Sequence, residues 1–174
     1  MQGSLSKTFS TFVFTAGATL GVALTSSPVI ADSLTQYEPG FLRQAERALS
    51  RGAPQRALDL VEANRDRQLK RQHRAEAHGL VCRAQLKMRA PVEARTACLA
   101  AIAAEQGKSN WRFLNNLGVA EMSLGNYDAA EIAFTRAATI GAWNRAPRKN
   151  LGTLDSLRAA RDDTADEQIS MVRR

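Results

Sequence analysis

The sequence predicts an all-α protein, a solenoid of about three helix-turn-helix units closed by a further helix. Three observations predict it. Apolar residues recur at helical spacing through most of the chain after residue 38, without the alternation of strands. Asn116-Leu117-Gly118 returns as Asn150-Leu151-Gly152, 34 residues on, a period typical of helical-pair repeats. Ala53-Pro54 and Ala90-Pro91 each follow an apolar helical stripe, and proline is tolerated in a helix's first turn.

Residues 1–31 stand apart. Lys7 is the only charged side chain before Asp32, and the small-residue and apolar run Phe9–Leu24 follows it. Ser26-Ser27-Pro28 breaks any helix, and Val29-Ile30-Ala31 supplies a cleavage-type ending. The stretch resembles a secretory signal peptide cleaved after Ala31. The alternative, a retained anchor, is disfavoured because Ser10, Thr11, Thr15, Gly17, Thr19 and Gly21 interrupt a run shorter than the roughly 20 residues of a spanning helix. The expectation is a periplasmic or secreted mature chain with no membrane span. Residues 32–37 form a polar lead-in.

The first helical pair is expected over 38–71. Phe41, Leu42, Ala45, Ala48 and Leu49 form one stripe, Gly52 marks the turn, and Ala57, Leu58, Leu60 and Val61 form the second stripe. The next pair is expected over 75–108. Leu80, Val81, Cys82, Ala84, Leu86 and Met88 precede Ala90-Pro91, and Ala94, Ala97, Cys98, Ala101 and Ile102 follow it. Residues 106–110 connect to the third pair, with Ser109 or Asn110 as its N-cap.

That third pair, 111–144, is the clearest. Phe113, Leu114, Leu117, Ala120 and Met122 line one helix, Leu124-Gly125-Asn126 breaks it, and Ala130, Ala133, Phe134, Ala137 and Ile140 line the next, which Gly141 stops. A capping helix is expected over 147–161, through Leu151, Leu154 and Leu157. Residues 162–174, charged and sparse in apolar groups, read as a flexible tail.

Leu114, Leu117, Gly118, Gly125, Tyr127, Ala130, Phe134 and Ala137 together resemble the tetratricopeptide repeat (TPR) pattern. Leu114 stands where that family usually has Trp, and Glu121 where it has Tyr. In the second pair His78, Val81 and Arg89 depart from the large residue, the Leu and the turn Gly. Aligning Ala94 with Ala130 puts Cys82 at the Gly118 position and Cys98 at the Phe134 position. Those positions pack together in the family, so the resemblance implies a Cys82–Cys98 disulfide. Two buried free thiols are the alternative.

Charge constrains the partner. The chain has 24 Lys and Arg against 17 Asp and Glu, a net +7. The densest basic stretch is 65–74, with Arg65, Arg67, Lys70, Arg71 and Arg74 around Asp66. Nucleic acid is disfavoured, since no aromatic residue is interleaved for stacking. Two readings stay open: cations gathered at a helix C-terminus, or a docking site for an acidic protein face or an anionic envelope polymer.

No catalytic constellation is apparent. His73 and His78, five apart, do not share a helical face as metal ligands, and both read as solvated. There is no Gly-x-Ser-x-Gly and no phosphate loop with Lys, and Asp162-Asp163 lies in the expected tail. No cofactor or metal is expected, and no enzyme.

The TPR resemblance implies a concave face that binds a peptide or protein segment. The residue before each Leu-Gly pair, Asn116 or Asn150, would reach it, since an amide both donates and accepts. Arg112, Asn115, Val119 and Met122 would share it, with Arg83 and Lys87 from the preceding unit. The alternative for Asn116 and Asn150 is local capping or bridging. The carboxylate clamp of chaperone-binding TPRs does not carry over, because Gly79, Arg83 and Ala146 occupy several of its positions. The implied function is an adaptor in a cell-envelope assembly. A self-associating structural subunit is the second reading, and a basic module for an anionic polymer the third.

Overall fold

A computed structural model describes residues 39–107 and 110–172. The expected signal peptide and lead-in lie outside the described residues. Seven helices occur among them: α1 (Gly40–Ser50), α2 (Pro54–Glu62), α3 (Arg71–Lys87), α4 (Pro91–Ala104), α5 (Trp111–Ser123), α6 (Tyr127–Ile140) and α7 (Arg145–Val172). No helix among the described residues is long and apolar enough to cross a membrane.

Helices α1/α2, α3/α4 and α5/α6 pack as successive pairs, and α7 closes the stack against α6. The first helices also touch in series: α1 with α3, α3 with α5, and α5 with α7. The α1/α2 pair encloses Leu42, Ala45, Leu49 and Ala57, and Leu80 and Ala84 of α3 complete that core. Phe113 carries the core into the next unit, packing with Ala75 and Ala101. A Cβ on Gly79 would overlap the Phe113 ring, so glycine sets how closely α3 and α5 approach. Ala130, Phe134 and Leu154 close the last layer.

The three intra-pair turns share one backbone design. Ala53 N–H donates to Ala48 O at 2.9 Å, Ala90 N–H to Gln85 O at 3.0 Å, and Asn126 N–H to Glu121 O at 2.9 Å. This is the Schellman arrangement, which needs a left-handed residue after the helix. Gly52 and Gly125 supply it at φ 77°, and Arg89 takes it at φ 59°. The departure at Arg89 therefore changes the residue and not the turn.

Cys82 and Cys98 form a disulfide between α3 and α4, their Cα atoms 5.1 Å apart. In the third unit the corresponding contact is Gly118 against Phe134, where a Cβ on Gly118 would lie 2.5 Å from Phe134 Cε1. One close helix-helix contact is thus made by a ring over a glycine, the other by a covalent bridge.

Four expectations change. Helix α3 begins at Arg71, not near 75, while α2 ends at Glu62. The basic stretch therefore spans a connection and the first turn of α3, not one helix C-terminus. Arg71 and Arg74 sit at a helix N-terminus, where the dipole disfavours cations. Helix α7 continues to Val172, past the expected end at 161. No Gly or Pro follows Gly152, and Leu, Ala and Arg recur there, so intrinsic propensity extends it. Finally, His73 is buried, whereas His78 is solvent-accessible.

Candidate functional site

The face made by α1, α3 and α5 holds a cleft of about 270 Å³ lined by Glu46, Glu76, Gly79, Arg83, Asn110, Arg112, Phe113 and Asn116. Its floor follows from the small residue at Gly79, which lets Phe113 lie against α3. Its walls are polar because these helices turn their apolar stripes toward α2, α4 and α6.

Charge across the cleft is mixed. Arg83 donates to both carboxylate oxygens of Glu46, at 2.7 and 2.8 Å. That fork-to-carboxylate pair ties α3 to α1 and fixes one wall. Asn110 caps α5, its side-chain oxygen accepting from Arg112 N–H at 3.0 Å, and its own N–H donates to Glu105 at 2.7 Å. Burial raises the Glu105 pKa, and the Asn110 N–H partly offsets that. The Arg112 guanidinium lies 5.3 Å from the centre of the Trp111 ring. Among the described residues, neither the Arg112 guanidinium nor the Asn116 amide has a hydrogen-bond partner within the protein. Asn116 is half-buried, so its amide is held in place yet open to a ligand.

The structure brings Arg83, Arg112 and Asn116 together at this cleft. Lys87 is exposed nearer the end of α3. Asn150 is turned to a bridging role, its amide donating to Asn115 Oδ1 at 2.9 Å across α7 and α5. Val119 and Met122, expected on the open face, are half-buried against Ala130, Phe134 and Leu154. The capping helix takes the place of a next unit and covers them. Glu46 and Glu76 also line the cleft, and the sequence alone did not point to them. Glu46 lies 37 residues before Arg83, close to one repeat length, and that spacing of opposite charges was the available signal.

A second recess lies at the connection between α2 and α3. It measures about 140 Å³ and is lined by Phe41, Val61, Asn64, Arg65, Arg67, Leu69, Arg74, Ala77 and His78. Three of the five cations of the basic stretch meet there. Lys70 is exposed beside it, and Arg71 instead reaches Gln106 across to the α4 end. Surrounding protein, and secondarily Arg74, hold the His78 pKa below its ordinary 6.5.

No protein-family model matches this sequence, and no curated protein matches it. Among solved structures the chain is similar to the NMR structure of the first TPR domain of the human RPAP3 protein. The TM-score is 0.62 at 15% identity, over 71% of this chain and 93% of that one. The fold is a TPR-like, all-α helical repeat. At that identity the likeness speaks for the fold alone, and the cleft must be read from its own side chains.

Proposed function

We propose that this chain is an exported adaptor that binds an extended peptide or protein segment along the α1/α3/α5 face and thereby scaffolds a cell-envelope assembly. The observation that carries the reading is the pair of polar groups in a walled cleft, Arg112 and Asn116, that make no hydrogen bond within the described residues. The Asn116 amide can donate to and accept from a peptide backbone, whatever the peptide's sequence. Arg112 adds a fixed positive charge beside it, while Glu46 on the facing wall is already paired with Arg83. A segment with a carboxylate beside its backbone would match that lining.

Export is supported by the apolar run with a small-residue ending at 1–31 and by a disulfide between buried cysteines, a bond that persists in oxidising compartments. The reading assigns no catalytic activity and no cofactor. Stacked helical pairs present a broad surface, and the cleft falls just below the size range of small-molecule sites.

The test compares mature wild type with Arg112→Ala/Asn116→Ala as bait against envelope extracts. Partners recovered by wild type are expected to be lost or much reduced with the variant, at unchanged melting temperature. Equal recovery of the same partners by both would overturn the cleft assignment.

A further inference from the structure

Where the α1/α3/α5 cleft has mixed charge, the recess at the α2–α3 connection joins an apolar floor to a cationic rim. Its floor is apolar, from Phe41, Val61, Leu69 and Ala77, and its rim carries Arg65, Arg67, Arg74 and His78. Arg65 is partly neutralised, by Glu62 at 2.6 Å and Asp66 at 3.7 Å. Among the described residues, Arg67 and Arg74 pair with no carboxylate. Arg74 and His78 stand one turn apart on α3, and by helical geometry they lie on the side away from Glu76, Gly79 and Arg83. Like charges gathered over an apolar hollow repel one another, and Arg74 has the helix N-terminus beneath it as well. An anionic occupant relieves both.

We propose that this recess is a second binding site, which takes an acidic peptide segment of a partner protein, one aliphatic or aromatic side chain entering the hollow while flanking carboxylates meet Arg67 and Arg74. The size favours this occupant. A volume of about 140 Å³ is below the roughly 300 Å³ at which cofactor and drug-like sites begin, yet it accepts a single side chain. The floor decides between acidic protein and anionic polymer. A polyphosphate has no apolar group to place on Phe41 and Leu69, and an acidic glycan offers only C–H faces between its hydroxyls, so either would leave much of that surface wet.

The experiment uses fluorescence polarisation with mature protein and a labelled, end-blocked peptide, Asp-Glu-Leu-Glu-Asp. A control peptide carries Ser in place of Leu, and polyglutamate serves as competitor. The Leu peptide is expected to bind at least about tenfold more tightly than the Ser peptide, the effect of burying one aliphatic side chain. Binding weakens with added salt. Arg67→Glu/Arg74→Glu abolishes it, and Arg67→Gln/Arg74→Gln weakens it; both positions are exposed, so the fold is retained. Arg112→Ala/Asn116→Ala leaves it unchanged, so loss of the cleft reading and loss of this one are distinguishable. Equal affinity for the Leu and Ser peptides, or full displacement by polyglutamate at equal charge concentration, overturns the proposal in favour of a charged patch alone. Binding that survives charge reversal overturns the site.

Discussion

Replacing Arg95 with alanine should destabilise the protein by about 2 kcal/mol, far more than a surface arginine warrants. Glu121 is 5% exposed, in the last turn of α5. Its Oε1 accepts from Arg95 Nε on α4 at 2.7 Å, and its Oε2 accepts from Asn126 Nδ2 in the turn at 2.8 Å. The carboxylate therefore ties three segments together. Breaking a fully buried pair by removing one partner costs about 3–5 kcal/mol, and an exposed pair contributes roughly 0.2–1 kcal/mol. Here the Arg95 side chain is 50% exposed, Asn126 stays in place, and an open hollow reaches Glu121 beside Arg158. The intermediate figure follows. Glu121→Gln should cost about 1–2 kcal/mol, since one face of the amide presents donors to a donor. The double variant should cost at least about 1 kcal/mol less than the sum, because the pair acts as a unit. Urea unfolding with a common slope measures all three. Arg95→Ala within about 0.5 kcal/mol of wild type, or strict additivity, would refute the reasoning and mean that water solvates the carboxylate through the hollow.

Reducing the Cys82–Cys98 bridge, which closes a loop of sequence separation 16, should cost about 3 kcal/mol and lower the melting temperature by roughly 10 °C; two free thiols in denatured, unreduced protein would remove the premise. Gly118→Ala should cost about 1–2 kcal/mol in chemical denaturation, overlap with the buried Phe134 ring outweighing the gain in helix propensity. Arg89→Gly should be neutral or stabilising by up to about 1 kcal/mol, and Gly125→Ala destabilising by about the same, because both turns need a left-handed residue; equal losses would show that the turns differ. His78 titrates below its ordinary 6.5 in the folded chain, so the unfolded chain binds a proton that the folded one refuses. Its contribution is complete above that value and is lost as pH falls toward the folded-state pKa. Glu105, held above 4.5 by burial, acts with the opposite sign, and its contribution is lost as pH rises through its own window. His78→Gln should therefore flatten the fall in urea midpoint below about pH 6.5, and an unchanged profile would show that other groups cause it.

What could be read from the chain, and what could not, follows from the range of the forces involved. The helical pairs were legible because each is set locally: Ala-Pro restarts, turn residues at 52, 89 and 125, and apolar stripes that repeat within a few turns. The end of α7 was not, because apolar stripes report burial, and among the described side chains none after Leu154 is buried while propensity continues the helix. The same limit governed the cleft. Asn116 and Arg112 were found from their position in one unit, yet Val119 and Met122 on the same helix are covered by α7, and only the stacking of units decides which side chains stay open. Glu46 and Arg83 show the converse, since they sit in different units and meet only once α1 lies against α3. The basic stretch was visible as composition, but its meaning depended on where α3 starts. A start at Arg71 moves Arg74 off a favourable helix C-terminus and onto the rim of an apolar hollow beside His78. A cluster of cations that its own helix does not stabilise is better explained by what it binds than by what it caps.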